Sequence, residues 1–334
     1  MIKIYCLTAE LNNGASIPRL NSIKHLEETG YPCVVQVATH ISEFDIDWAD
    51  IVVIHRPVDE IQLNVSNHVK AKGKKLWIDN DDDQLSLPID HPAYLQYNRD
   101  DRRHYIRTCN KLADVVTISN ENIIKTYGDL NKNIIYYPCA YDERLMPEPD
   151  CSPRDKVVLW RGSHTHNKSM AEFAPAVGRA DKKVKGWKFV FIGAYPWEML
   201  EQITENEWYC SPGYMPTHNL WDYSRKLKPA VQMLCLTENQ FTRSRSNMAQ
   251  LDGTIAGAAL LAPSWNHWDT PGVTHYDGLK DFESKLTALM RFSEINGVRP
   301  LVESSWEHIQ EKQTFKAINV RQWEIVKSLV GNIL

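Results

Sequence analysis

Apolar positions along this chain follow two rhythms. Short, β-branched, near-continuous apolar runs occupy 2–7, 33–37, 51–54, 75–78, 115–118 and 134–137. Each is too short for a helix and continuous rather than alternating, which predicts strands buried on both faces. Longer amphipathic stretches separate them, the first a helix expected over 17–28. Such alternation predicts a parallel sheet covered by helices. The rhythm breaks at 146–154, Met-Pro-Glu-Pro-Asp-Cys-Ser-Pro-Arg, where closely spaced prolines favour a linker over an element. It then restarts with strand runs at 157–160, 188–192 and 230–236, a helix over 246–255, an apolar run at 257–262 and an amphipathic, helical tail over 315–334. No solenoid-type repeat and no low-complexity segment occurs. The expected organisation is a first α/β domain over 1–150, a second over 151–314, and a C-terminal helix over 315–334 that can pack back on the first. Facing strand ends of two such Rossmann-like domains would form a cleft.

Composition narrows the setting more than the chemistry. No apolar run reaches 18 residues, so no membrane span is expected. The first residues read as a strand, not as a signal peptide. Seven cysteines stand singly, with no Cys-x-x-Cys pair, which argues against a structural zinc site and a disulfide framework and favours a reducing cytoplasm. Residues 1–150 carry 16 Lys+Arg against 23 Asp+Glu, while the remainder carries 22 against 19. An acidic first domain and a mildly basic second would suit an anionic ligand held by the second; simple scatter explains the split equally well.

Two segments of the second domain carry candidate chemistry. In Trp160-Arg161-Gly162-Ser163-His164-Thr165-His166-Asn167-Lys168 a strand ends in a turn that leads into a helix. Gly162 allows close approach of backbone to ligand, Arg161 can bind phosphate in bidentate fashion, and Lys168 adds a point charge. In 239–253 the small hydroxyls and arginines at Thr242–Ser246, among them Ser244, Arg245 and Ser246, are expected at a helix start, another anion-favouring position. Asp252, further along that helix, can accept two hydrogen bonds from a ribose diol. Polar strand-to-helix turns with solvated cations remain the plain alternative for both.

Together these segments resemble the donor lobe of glycosyltransferase family 4 and its compact bacterial and bacteriophage relatives. Arg161, Gly162 and Lys168 look like the family's diphosphate turn. Phe241-Thr242-Arg243-Ser244-Arg245-Ser246-Asn247, with Asp252 after it, is similar to a Phe-Asn-x-x-Lys-Ser-Asn…Glu motif, with Thr for Asn, Arg for Lys and Asp for the ribose-binding Glu. Ser244 stands where the larger family has a sugar-contacting Glu. Gly213-Tyr214-Met215-Pro216 resembles the segment that holds the nucleobase, with Tyr214 and Met215 as its contacts. In the first domain Ala49–Pro57, Lys72–Asp83, Ala113–Ser119 and Tyr137-Pro138 follow the family order as well, so the resemblance spans nearly the whole chain.

The resemblance implies a GT-B fold, two Rossmann-like domains across a cleft. It implies a retaining transfer of sugar from a nucleoside diphosphate donor, UDP-linked by expectation, with no cofactor and no metal. The run Asp79-Asn80-Asp81-Asp82-Asp83 could hold Mg²⁺ or Mn²⁺; the preferred reading is a metal-free cleft loop in which Asp79 or Asp81 orients the acceptor hydroxyl with Arg56 as its partner, and an acidic capped turn is the plain alternative. By the position of their loop, Asn12–Ser16 and the helix after it, Gly14 and Arg19 are expected on the acceptor side. The patch 99–107, with Arg102 and Arg103, could meet a DNA backbone. The resemblance to compact bacteriophage enzymes makes a hydroxymethylated pyrimidine in phage DNA the leading acceptor, ahead of a cell-surface glycan or a small metabolite. A non-enzymatic sugar-binding protein and a nucleotide-sugar epimerase are the rival classes. A monomer or weak dimer, with no membrane partner, is expected.

Overall fold

A computed structural model describes residues 1–11, 14, 16–265 and 268–331. Asn12, Asn13 and Ala15 of the expected acceptor-side loop, and the last three residues of the tail, lie outside the described residues. The chain divides into two compact units. The first comprises Met1–Leu145, Arg243–Ser246 and Glu311–Leu334; the second comprises Met146–Thr242 and Asn247–Gln310.

The first unit is built on strands β1 (Ile2–Leu7), β2 (Cys33–Ala38), β3 (Ile51–His55), β4 (Lys75–Asn80), β5 (Val115–Ile118) and β6 (Ile134–Tyr136). They form one sheet in the order β2-β1-β3-β4-β5-β6, and every pairing is parallel. Because side chains alternate across a strand, Val53 and Trp77 enter one core and Val52, Ile54, Leu76 and Ile78 the other. The first core is closed by α1 (Ser22–Glu28) and by Ile318, Ile325, Val326 and Leu329 of the C-terminal helix. The second is closed by α2 (Glu43–Trp48), α3 (Glu60–Ala71), α4 (Tyr94–Tyr97), α5 (Asp100–Leu112) and α6 (Ile124–Tyr127). Burial on both faces explains why these strands read as continuous apolar runs. The helix expected over 17–28 begins with a wider π-helical turn at Ile17–Asn21 before α1.

The second unit contains β7 (Asp155–Arg161), β8 (Lys188–Gly193), β9 (Glu207–Pro212), β10 (Pro229–Met233), β11 (Ala259–Pro263) and β12 (Val273–Tyr276). Its sheet, also all parallel, runs β12-β11-β10-β7-β8-β9. Its helices are α7 (Asn167–Lys183), α8 (Trp197–Leu200), α9 (Thr217–Lys226), α10 (Gln240–Arg243), α11 (Met248–Ile255), α12 (Gly278–Asn296) and α13 (Arg299–Lys312), the ends of α10 and α13 running into segments of the first unit. Met170 and Phe173 of α7 and Phe282 and Leu286 of α12 cover one face, against Trp160, Phe189 and Phe191. Leu220 and Tyr223 of α9 pack on the other, against Leu159, Val190 and Ile192. The last helix, α14 (Phe315–Val330), belongs to the first unit. No helix of the described residues is long and apolar enough to cross a membrane.

Candidate functional site

In the second sheet the strand order reverses between β7 and β10, and α/β sheets bind ligands at the carboxyl ends of strands flanking such a reversal. Arg161 is the last residue of β7. One terminal nitrogen of its guanidinium pairs with Asp252 on α11, while its Nε is buried without a hydrogen-bond partner. Trp221 of α9 donates its indole N–H to the same Asp252 carboxylate (3.0 Å). Asp252 is thereby fixed by groups from two further elements while keeping 5% of its surface exposed. Gly162 follows, and its requirement for glycine is local. A Cβ there would lie 2.7 Å from the Trp160 ring and 3.1 Å from His166. Gly193, at the end of β8, has a left-handed backbone (φ 95°), and a Cβ on it would collide with the Gly162 carbonyl. The two strand ends thus meet backbone to backbone.

A short turn, His164–His166, then leads into α7. This start has no side-chain cap and no acidic residue in its first turn, which carries the exposed Lys168 instead. Cations at a helix N-terminus oppose the macrodipole, so the arrangement favours an anion. Beyond β9, Gly213 (φ 104°) turns the chain and Tyr214 projects with 72% of its surface exposed, while Met215 packs against the apolar layer under β7 and β8.

The first sheet reverses between β1 and β3. His55 ends β3 there, 2% exposed, with Nδ1 3.4 Å from the hydroxyl of Thr8, which follows β1, and Nε2 3.3 Å from Asp81. The next residue, Arg56, takes a left-handed backbone (φ 52°), uncommon for a residue with a Cβ. Its N–H donates to the Asp79 carbonyl (2.9 Å), and its guanidinium binds Asp81 through two nitrogens and Asp82 at 2.8 Å. Arg245 approaches Asp82 from its other side (3.1 Å), and Asn120 ties down the carbonyls of Arg243 and Arg245. Burial alone would raise the Asp81 carboxyl, but Arg56 and His55 outweigh it and hold the group well below the usual carboxylate range. Asp79 forms a wholly buried pair with Arg19, whose nearest contact is 2.5 Å, and His55 Nε2 lies 3.8 Å from its other oxygen. Thr117 donates to the same carboxylate at 2.6 Å, and the Arg19 guanidinium lies 3.7 Å from the centre of the Tyr137 ring.

This architecture recurs among solved structures. A glycosyltransferase from Rickettsia africae matches with TM-score 0.67 at 10% identity, over 99% of each chain. Anabaena HepE, solved in complex with UDP and glucose, matches with TM-score 0.67 at 10% identity, over 98% of this chain and 100% of that one. A putative UDP-N-acetylglucosamine 2-epimerase from Listeria monocytogenes matches with TM-score 0.60 at 9% identity, over 98% and 96%. No protein-family model and no curated protein matches the sequence. The chain has the GT-B fold.

Within that GT-B framework the sequence-derived candidates separate into groups. Arg161, Gly162, Lys168 and Asp252 fall in the second unit, with Arg161 and Asp252 in contact. Ser244, Arg245 and Ser246 do not begin the helix that carries Asp252. α11 starts at Met248, and these three residues group with the first unit. Arg56, Asp81 and Asp82 form one charge network, which Arg245 joins. Asp79 and Arg19, expected to face the acceptor, have no exposed surface because each neutralises the other in the core. Gly14 is exposed, with open space where a Cβ would be. Arg102 donates to the Val58 carbonyl (2.8 Å) and Arg103 to the Leu85 carbonyl (3.2 Å), so both brace the backbone beside α5. Sequence reasoning passed over His55 and Trp221. The position of His55 at the end of a strand beside the sheet's reversal was the available signal; Trp221 gave none, since its partner is distant in sequence.

Proposed function

We propose that this chain is a glycosyltransferase that moves a sugar from a uridine diphosphate sugar to a hydroxyl acceptor. The observation that carries the reading is the contact of Arg161 with Asp252 at the reversal of the second sheet, beside the acid-free start of α7. In this reading the free donors of Arg161, the Lys168 ammonium and the first N–H groups of α7 receive the diphosphate. Asp252, steadied by Trp221, accepts the ribose hydroxyls, and Tyr214 and Met215 lie against the base. The bond between the anomeric carbon and the diphosphate breaks, the acceptor oxygen takes its place with retention, and the acceptor's proton leaves with the diphosphate. Charge developing on the leaving group is stabilised by the same cations and amide dipoles, so the electrostatic contribution needs no metal. Arg56, Asp81 and His55 form the acceptor-side counterpart, with the Asp81 carboxylate ionised. The two UDP-linked neighbours among the structures above support this donor class.

Calorimetry with UDP and UDP-sugars tests the donor site. Arg161→Ala removes one or two charge-assisted hydrogen bonds, each worth roughly 1.5–3 kcal/mol, so affinity is expected to fall at least about ten-fold. Unchanged affinity in a folded Arg161→Ala protein would overturn the assignment. Product analysis by NMR separates transfer or slow hydrolysis from epimerisation of the donor sugar. For the acceptor, hydroxymethylated pyrimidine DNA is the first candidate, resting on the resemblance to compact bacteriophage enzymes and on the basic residues of α5. Mass analysis of nucleosides after incubation with donor and DNA checks it, and unmodified nucleosides alongside donor turnover would move the acceptor to a glycan or small metabolite.

A further inference from the structure

We infer that His25, Asp142 and Glu143 form a binding site for one divalent transition-metal cation of the Zn²⁺ type. The site is independent of the sugar-transfer reading and lies within the first unit. His25 sits on α1, Asp142 and Glu143 follow β6, and their ligand atoms all lie within 4.8 Å of one another. The group is more than a pair of carboxylates, because the buried His25 imidazole belongs to it.

The His25 ring is 1% exposed, and its orientation is dictated by a chain of hydrogen bonds from α14. The Asn319 amide nitrogen donates to the Ser22 carbonyl (2.6 Å) and to the Gln322 side-chain oxygen (2.7 Å). Gln322 is fixed in turn, because its own amide nitrogen donates to the Ser22 hydroxyl (2.6 Å). The Asn319 oxygen is therefore the atom that faces His25 Nδ1, at 2.5 Å, and Nδ1 must be the donor. In the neutral ring this leaves a lone pair on Nε2. Nε2 is buried and has no hydrogen-bond partner, and it faces two carboxylates. Imidazole ligands of metals are held in this way, with the far ring N–H on an oxygen that fixes tautomer and angle.

Distance and charge agree. Nε2 lies 3.6 Å from the nearer Glu143 oxygen, too long for a hydrogen bond. Bonds of about 2.0–2.2 Å from a tetrahedral Zn²⁺ to nitrogen and oxygen place neighbouring ligand atoms about 3.3–3.5 Å apart. Arg144 binds Asp142 and also Glu28, so one guanidinium faces two carboxylates, while among the described residues Glu143 has no cationic partner other than the His25 ring. A divalent cation offsets that excess. One imidazole with two carboxylates favours Zn²⁺ over Mg²⁺, which prefers all-oxygen surroundings and retained water. Water would complete the fourth position. Glu143 also accepts the Lys316 N–H at the start of α14 (3.1 Å), so the ion would fasten α1, the segment after β6 and α14 together.

The test uses the full chain, stripped with EDTA and dialysed. Titration with Zn²⁺ followed by calorimetry and elemental analysis should show one equivalent bound, and the thermal midpoint should rise with Zn²⁺ but not with equal Mg²⁺. Glu143→Gln keeps an acceptor for Lys316 at a partly exposed position, so it should fold; its Zn²⁺ affinity should drop by at least roughly ten-fold. His25→Gln should abolish the site. Should that variant fail to fold, Glu143→Gln decides. Absence of stoichiometric Zn²⁺, or equal Zn²⁺ affinity in Glu143→Gln, which would place the ion on another histidine or cysteine, overturns the proposal. An equal rise with Mg²⁺ overturns the choice of metal class.

Discussion

At the scale of single residues, the first unit separates two kinds of acidic chemistry within five positions. Asp79 is sealed with Arg19 in the core, whereas Asp81 pairs with Arg56 at the surface end of the sheet. Position in the pleat makes the difference. Asp79 still belongs to β4 and lies under Tyr137, while Asp81 is past the strand's end. Asp81 should also leave a mark on acid stability. Its folded carboxyl is held below the ordinary value of about 3.9. Its contribution is therefore complete above that value and is lost as pH falls below it toward the folded value. Asp81→Asn should lose about 1.5–3 kcal/mol at pH 7 and lose less further stability than the wild type between about pH 4 and 2. Urea unfolding at a series of pH values measures both; parallel curves would dismiss the pairing as a stability element. The run of four aspartates and one asparagine disclosed acidity, but not which member is buried, since that depends on Arg19 and Arg56, which come from other elements.

At the scale of elements, continuous apolar runs marked the strands well where both faces are covered. β1, β3, β4 and β5 fall within a residue or two of the runs that announced them. β9 and β12 left no such signal. β9 is an edge strand of sequence Glu-Trp-Tyr-Cys-Ser-Pro with its first three side chains exposed, and β12 is a short half-buried edge. Edges carry polar residues on their open side, so the pattern that identifies a central strand is missing. The expected strand at 230–236 ends at Met233; beyond it the Leu234 N–H still donates to the Leu261 carbonyl (2.9 Å), Leu234 and Leu236 line a satellite apolar cluster, and Cys235 stays in the main core. The C-terminal helix is more than an appendage. Phe315, Ile318, Ile325, Val326 and Leu329 are all buried in the core beneath the first sheet. Removing residues 311–334 should expose that core and leave an aggregating or partly folded first unit. Circular dichroism with an apolar-surface dye tests this; a soluble, cooperatively unfolding truncated chain would contradict it.

At the scale of the molecule, the division into two α/β halves was legible because each repeats the same strand–helix rhythm on its own side of the proline-rich stretch. The candidate site was legible as segments rather than as partners. The strand-to-helix turn at Arg161 could be located, but its ion pair with Asp252 and the indole of Trp221 on the same carboxylate join three elements that no local pattern links. The displacement of Arg243–Ser246 into the first unit was equally hidden, because a four-residue excursion of the chain has no composition of its own. That division of the chain has a consequence for how the protein is made. α1 and α14 meet through residues such as His25 and Asn319, 294 positions apart. On a ribosome adding about 5–20 residues each second, the stretch from the end of β6 to the end of α14 takes roughly 10–40 seconds, and for that time one face of the first sheet lacks the helix that completes its cover. The amino-terminal half is thus synthesised first yet completed last, and over that interval it is a natural client for a chaperone that shields apolar surface.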